Sequence, residues 1–351
     1  MAALAAATTI KGVTCVVPAF NAASTIDACL ASLLAQRTDI PIEVIVVDDG
    51  SSDDTATKAR QWQDRFAQLK MSLRVIRQPV NGGAARARNA GIQNAAHDWI
   101  LTQDSDDTSR PQRVAALRRA AETQPDAKNT LFGSRFSRHP PDATERYAGW
   151  ANTLTPERLF LERFRECTLI QPTWFFHRAL WENAGGYDAD GGTCDDLRFF
   201  LRHVGRGGLL HRVEEDLMVY TMSEGLSSIT HRKELVRCRV AAFSTQILDG
   251  DWKGRKIHVW GAGRDGRCFL NELALIGRAD AVEALYDVDS AKIGTYHNGA
   301  TGLSMPVRHV DEIRAPFVVC VSMRNPQLVA YVQAAAQRLG AIEGADYLHF
   351  N

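Results

Sequence analysis

The sequence has no excess of charge of either sign: lysine plus arginine and aspartate plus glutamate each number 41 in 351 residues. So balanced a chain has no global attraction to nucleic acid or an anionic membrane, although a local basic patch stays open. No hydrophobic run approaches the ~18 residues that cross a bilayer, so no membrane partner is expected. The first residues, MAALAAATTIKG, have neither a basic start nor a long apolar core, and no signal peptide is expected. The seven cysteines are scattered, odd in number and without a CxxC, which argues against a disulfide framework and makes a reducing cytosol the simplest compartment. Cys15 and Cys320 lie in apolar, strand-like runs and read as packing residues. Repeats and low-complexity tracts are also missing.

What is there is a globular chain, 45% apolar and long enough for two domains. VTCVVPAF (13–20) is a buried strand stopped by Pro18, and STIDACLASLLAQ (24–36) follows with helical spacing, Ser24 or Thr25 its expected N-cap. IEVIVVDDGSSDDT (42–55) repeats the theme, its strand ending at Asp48 and Asp49, with Ser51 and Asp54 expected to form a capping box. LRVIRQ (73–78) and DWILTQ (98–103) are further strands, separated by NGGAARARNAGIQNA, a helix opened by glycines. Strands alternating with helices predict a mainly parallel sheet, whose ligands bind beyond the carboxyl ends of the strands. Every acidic or glycine-rich cluster in this half falls at that edge.

One cluster is costly to hold together. Asp104, Asp106 and Asp107 crowd the end of the fourth strand, so a positive partner is required. Asp104-Ser105-Asp106 suits a hard divalent cation, Mn²⁺ or Mg²⁺, shared with a diphosphate. The alternative is a solvated acidic loop opening the helix near Arg110.

VVPAFNAASTIDACLASLLAQ, VIVVDDGSSDDT, NGGAARARNAGI and ILTQDSDD, in this order and spacing over residues 12–114, resemble family 2 inverting glycosyltransferases of the GT-A fold. The resemblance implies that Pro18, Ala19, Phe20 and Asn21, with Asp49, hold the uridine of a UDP-sugar. It places Asn81, Gly82 and Arg88 along the nucleotide, Asp104 and Ser105 by the ribose, and Asp106 with Asp104 on the metal. Phe20 stands where tyrosine is frequent, so stacking on uracil survives without a phenolic contact. The family's acidic pair matches Asp195-Asp196 in TCDDLRFFLRHV; Asp196 is the expected base and Asp195 the second candidate, the alternative being that both only cap a helix. A Tyr-Arg-x-His stretch frequent in the family reads VYTMSEGLSS here, keeping Tyr220 but placing Ser223 at the histidine, which implies weaker metal dependence.

TERYAGWANTLTPERL, QPTWFFHRALW, DDLRFFLRH, VWGAGRDGRCF, DVDSAKI, PFVVCV and DYLHF narrow the resemblance to the β-1,3-N-acetylglucosaminyltransferase-like family, which includes the animal queuosine-tRNA galactosyltransferases. That resemblance implies transfer of β-galactose onto queuosine of tRNA-Tyr. The rival expectation is transfer of another UDP-sugar, such as N-acetylglucosamine, onto a glycan or small molecule. Trp174 could stack on the acceptor or simply fill the core. Arg232, Lys233, Arg237, Arg239, Lys253, Arg255, Lys256, Arg264 and Arg267 concentrate basic charge; Arg232, Lys233, Arg255 and Lys256 are the expected phosphate contacts, and scattered surface charge is the alternative. Gly261, Gly263 and Gly266 form a G-x-G-x-x-G after a strand, with Asp287 beyond, but too little chain follows for a full dinucleotide enzyme, and NAD binding is not expected. The expected layout is a GT-A domain over 12–230, a connecting helix over 231–252 and a small Rossmann-like α/β domain over 253–351.

Overall fold

The apolar runs of the N-terminal hundred residues become β1 (Val13–Ala19), β2 (Ile42–Asp48), β3 (Ser72–Arg77) and β4 (Trp99–Thr102), adjacent and parallel in the order β3-β2-β1-β4. The computed structural model describes residues 8–189, 194–222, 232–321 and 325–350. Every residue of β1 and β2 is buried, as strands covered on both faces require. The helix α1 (Ile26–Leu34) turns Ile26, Cys29, Leu30 and Leu33 inward, one stripe of a 3.6-residue repeat. The helix α2 (Ala84–Gln93) lies between β3 and β4 in the chain.

The sheet continues with β5 (Thr108–Ser109), β6 (Thr130–His139), β7 (Phe175–His177) and, after helix α3 (Asp195–Gly205), β8 (Leu209–Thr221). Its order is β3-β2-β1-β4-β7-β6-β8-β5. Antiparallel β7 lies between β4 and β6, and β6 runs parallel to β8. The carboxyl ends of β1 to β4, β6 and β8 therefore share one edge, where open α/β sheets bind ligands.

A second sheet comprises β9 (Ile257–Trp260), β10 (Val282–Asp287), β11 (Gly294–Asn298), β12 (Leu303–His309), β13 (Phe317–Val319) and β14 (Tyr347–His349), in the order β11-β12-β10-β9-β13-β14. All its pairings are parallel except β11 with β12. Numbered in chain order, the five parallel strands stand 3-2-1-4-5, as in a doubly wound dinucleotide fold.

The chain divides into two units, Met1–Leu159 with Cys167–Ile229, and Phe160–Glu166 with Thr230–Asn351. The second unit is thus discontinuous in sequence. Within it, Phe164 is fully buried against Phe243, ring centroids 5.4 Å apart. Phe243 ends α4 (Arg232–Phe243), which runs on as a π-helical turn over Ser244–Asp251. Arg239 of the same helix is buried and donates to the carbonyls of Phe164, Arg165 and Phe350.

The N-caps differ from expectation. Thr25 stands at the expected cap position of α1, but its hydroxyl donates to the Ala22 carbonyl and caps no amide. Ser51 and Asp54 form no capping box: Ser51 Oγ accepts from the Asn21 amide at 2.9 Å, while Asp53 Oδ1 accepts from Thr55 N at 3.0 Å. The loop's need to bind its neighbour outweighs the local helix-capping pattern. Among the described residues no helix is long and apolar enough to cross a membrane.

Candidate active site

The positive group required by the acids after β4 is Arg88. It lies on the buried face of α2, 6% exposed, and its guanidinium is shared by two acids. One amino group donates to Asp104 Oδ1 at 2.8 Å and the other to Asp195 Oδ2 at 3.0 Å. Its face lies 5.7 Å from the centre of the Tyr187 ring. Burial opposes the charge on Arg88, but Asp104 and then Asp195 outweigh it and hold the guanidinium well above its ordinary range. The donor edge and the first turn of α3 are thus joined by one side chain. Asp196, next in that turn, accepts from the Leu197 amide at 2.7 Å.

The expected donor loops meet on the same edge. Asp49, directly after β2 and 2% exposed, accepts from Gly82 N at 3.0 Å and Gly83 N at 2.7 Å. Its carboxylate therefore fixes the glycine turn at the start of α2, a position where negative charge is also favoured by the helix dipole. Asn81 completes the turn, its Oδ1 accepting from Gly83 N at 3.0 Å. Gly83 sits at φ 87°, in the left-handed region that glycine tolerates best. Asn21, also left-handed at φ 49°, accepts from Ser52 N at 2.9 Å and ties the loop after β1 to the loop after β2. Pro18 and Ala19 are buried in the end of β1, whereas the Phe20 ring is 37% exposed beside them. Ser105 and Asp106 are half-buried at the same edge.

The acids fit a divalent cation in one specific sense. Among the described residues no group of three or more histidine, cysteine and acidic side chains is arranged to hold a metal unaided. A cation of this class takes much of its shell from phosphate and water and needs only one or two carboxylates. Asp104 and Asp106, both half-buried at this edge, are the acids that could supply them. Asp107 beside them is fully buried, with Oδ1 accepting from Thr221 N at 2.8 Å and Oδ2 unpartnered. Burial, then the charges of Asp104 and Asp106, push its carboxyl well above the usual range. Ser223, the position of the family histidine, lies outside the described residues.

Some expected acceptor contacts are overturned. Trp174 is fully buried, donates to Leu169 O at 2.8 Å and lies 6.4 Å from the stacked ring of Tyr187, so it is core rather than a platform for an acceptor. Arg239 is buried, which removes it from the basic surface, while exposed Arg237 pairs with Glu272 at 3.3 Å. Lys233, Lys253, Arg255 and Lys256 are exposed, Lys256 bonding the Asp280 carbonyl. The Arg232 side chain lies outside the described part. Sequence reasoning missed Arg138 at the end of β6, whose guanidinium lies 4.0 Å from the centre of the Tyr220 ring. Burial, then Asp104 and Asp107, push the Tyr220 hydroxyl up to about 12. The register of β6 on β8 pairs these two residues, which no local pattern reveals. Asn89 is a fold residue: its side chain bonds Trp181 Nε1 and both backbone groups of Tyr187.

Residues 14–184 match the family model described as Glycosyl transferase family 2. The chain is 36% identical over 125 residues to a hyaluronan synthase of Pasteurella multocida, a stretch covering 35% of this chain and 12% of that protein. It therefore spans about an eighth of that relative's length. TarS 1–349 of S. aureus, solved in complex with UDP, is 19% identical with a TM-score of 0.51, covering 67% of this chain and 66% of that one. The mannosyltransferase PcManGT of Pyrobaculum calidifontis, solved with GDP-Man and Mn²⁺, is 21% identical with a TM-score of 0.52, covering 69% and 66%. The likeness to Glycosyl transferase family 2 thus spans residues 14–184, and the sheet that gathers the acids is a GT-A fold.

Proposed function

We propose that the chain is an inverting glycosyltransferase that moves a hexose from a UDP-sugar to an acceptor hydroxyl. The observation that carries this reading is the convergence of Asp49, Asp104, Asp106, Asp195 and Asp196 on the carboxyl edge of one mainly parallel sheet, with Arg88 joining two of them. Asp49, Asn21 and the Asn81–Gly83 turn form the nucleoside end of the donor site, with Phe20 as the exposed ring for the base. Asp106 and Asp104 would hold a divalent cation, which supplies charge stabilisation to the departing diphosphate. Asp196 is the base. It takes the acceptor's hydroxyl proton as that oxygen forms its bond to the anomeric carbon, and the electron pair of the breaking C–O bond leaves with UDP. Displacement from the opposite face converts an α-linked donor into a β-glycoside. Asp195 suits the role less, because protonating it would break its ion pair with Arg88.

For the sugar and acceptor, the resemblance beyond residue 130 supports galactose and the queuosine of tRNA-Tyr, in the cytosol. Exposed Lys233, Lys253, Arg255 and Lys256 are suitable phosphate contacts for such an acceptor. The likeness to a hyaluronan synthase favours a second reading, a UDP-sugar transferase acting on a glycan. A panel of sugar nucleotides offered with queuosine-containing tRNA, followed by mass analysis of the anticodon nucleosides, separates them. A gain of one hexose on queuosine is the expected outcome; transfer only to oligosaccharides overturns the tRNA acceptor.

A further inference from the structure

Arg88 does more than neutralise the acids after β4. Its two amino groups grip acids 91 positions apart in the chain, Asp104 after β4 and Asp195 in the first turn of α3. Cys194, the residue before that turn, has a left-handed backbone at φ 68° and gives α3 no side-chain cap. The start of α3 therefore depends on a tertiary contact for its placement. An arginine suits this task because its planar fork holds two separate amino groups at fixed directions, one for each carboxylate, whereas an ammonium places all its donors on one atom. Tyr187 beneath the guanidinium and burial to 6% exposure hold the fork in place.

We propose that Arg88 is a positioning residue: it ties the first turn of α3 to the donor edge and so sets where Asp196 stands relative to the sugar's anomeric carbon. This rests on the reading of Asp196 as base. A shift of about 1 Å at such a group costs on the order of 10²-fold in rate, without a matching loss of nucleotide affinity.

The test compares R88K, D195N and the double variant R88K/D195N in the full chain. Three quantities are read: the turnover of UDP-sugar hydrolysis with water as acceptor, UDP affinity by calorimetry, and hydrogen exchange of the amides of Arg198 to Leu201. R88K is expected to lower kcat about 10²-fold. UDP affinity should change by less than about threefold. Exchange in α3 should rise about tenfold or more while β4 is unchanged. D195N should reproduce this pattern, and the double variant should be no worse than the more affected single variant. If UDP affinity falls as far as kcat while exchange in α3 is unchanged, Arg88 is a nucleotide ligand and the proposal is overturned. Should R88K fail to fold, D195N carries the same test, since it keeps the Arg88–Asp104 pair. A wild-type chain that neither binds UDP nor hydrolyses sugar nucleotides would overturn the transferase reading instead, and exchange in α3 would still decide the tie.

Discussion

The two sheets offer a controlled comparison. In each, an aspartate at the end of one strand accepts backbone N–H groups from the glycine turn after a neighbouring strand. Asp49 holds Gly82 and Gly83; Asp287, the last residue of β10, holds Ala262 N at 3.0 Å. In the second sheet the charge is then balanced on the spot: Asp287 takes Lys292 Nζ at 3.1 Å and the Asp289 amide at 3.0 Å. In the first sheet one guanidinium, that of Arg88, is shared between Asp104 and Asp195, and Asp107 lies fully buried beside Asp104 and Asp106. A glycine turn with an acid thus marks a well-built strand–helix corner in both places. The crowding of acids around one shared guanidinium is what separates the first edge from the second.

The comparison is broken most severely at the base. Asp196→Asn should lower turnover ~10³-fold with UDP affinity within about threefold, whereas Asp287→Asn should leave turnover unchanged. Steady-state rates and calorimetry check both, and a comparable loss of turnover in Asp287→Asn would contradict the contrast. The glycine turns come next. A Cβ on Gly266 would lie 1.7 Å from the Gly261 carbonyl oxygen, and Gly266→Ala should cost about 3 kcal/mol in denaturant unfolding. Gly83 has nothing within 4 Å of the same position, so Gly83→Ala should cost only the roughly 1–2 kcal/mol of a left-handed backbone. The reverse order would mean that the two corners are not built alike.

A smaller effect is expected at the metal. Asp106→Asn should weaken UDP binding in Mn²⁺ about tenfold, or ~1.4 kcal/mol, to the level seen in EDTA. Unchanged metal-dependent affinity in calorimetry would remove Asp106 from that role. The smallest effect concerns the acceptor: reversing Arg255 and Lys256 together should weaken tRNA binding severalfold at low salt and flatten its salt dependence, with UDP binding spared. Filter binding at two salt concentrations measures this, and a flat response in the native chain would favour the glycan acceptor.

Much of the first sheet was legible because strand periodicity, glycine turns and acids at strand ends are local patterns. Asp49 and the Asn81–Gly83 turn are read correctly from such patterns as neighbours on one edge. What was not legible depends on distant partners. That Arg88 also grips Asp195, 107 residues away, shows in no local pattern. Ser51 resembles a helix cap until Asn21 claims its hydroxyl. Trp174 and Arg239 look like ligand-binding side chains in sequence, yet burial, which no short motif encodes, commits both to the interior.

The split second unit has a consequence for how the protein is made and cut. Its segment Phe160–Glu166 leaves the ribosome about 60 residues before the rest of the unit and must wait for it. During that wait the Phe164 ring has no Phe243 to cover it. A fragment ending near residue 229 would keep this apolar ring exposed, and one beginning at 230 would lack the carbonyls of Phe164 and Arg165 that hold Arg239. Cutting the gene at the boundary suggested by the motifs should therefore give two sticky halves, whereas adding 160–166 back in trans, or joining it to the second half by a short linker, should restore a soluble one.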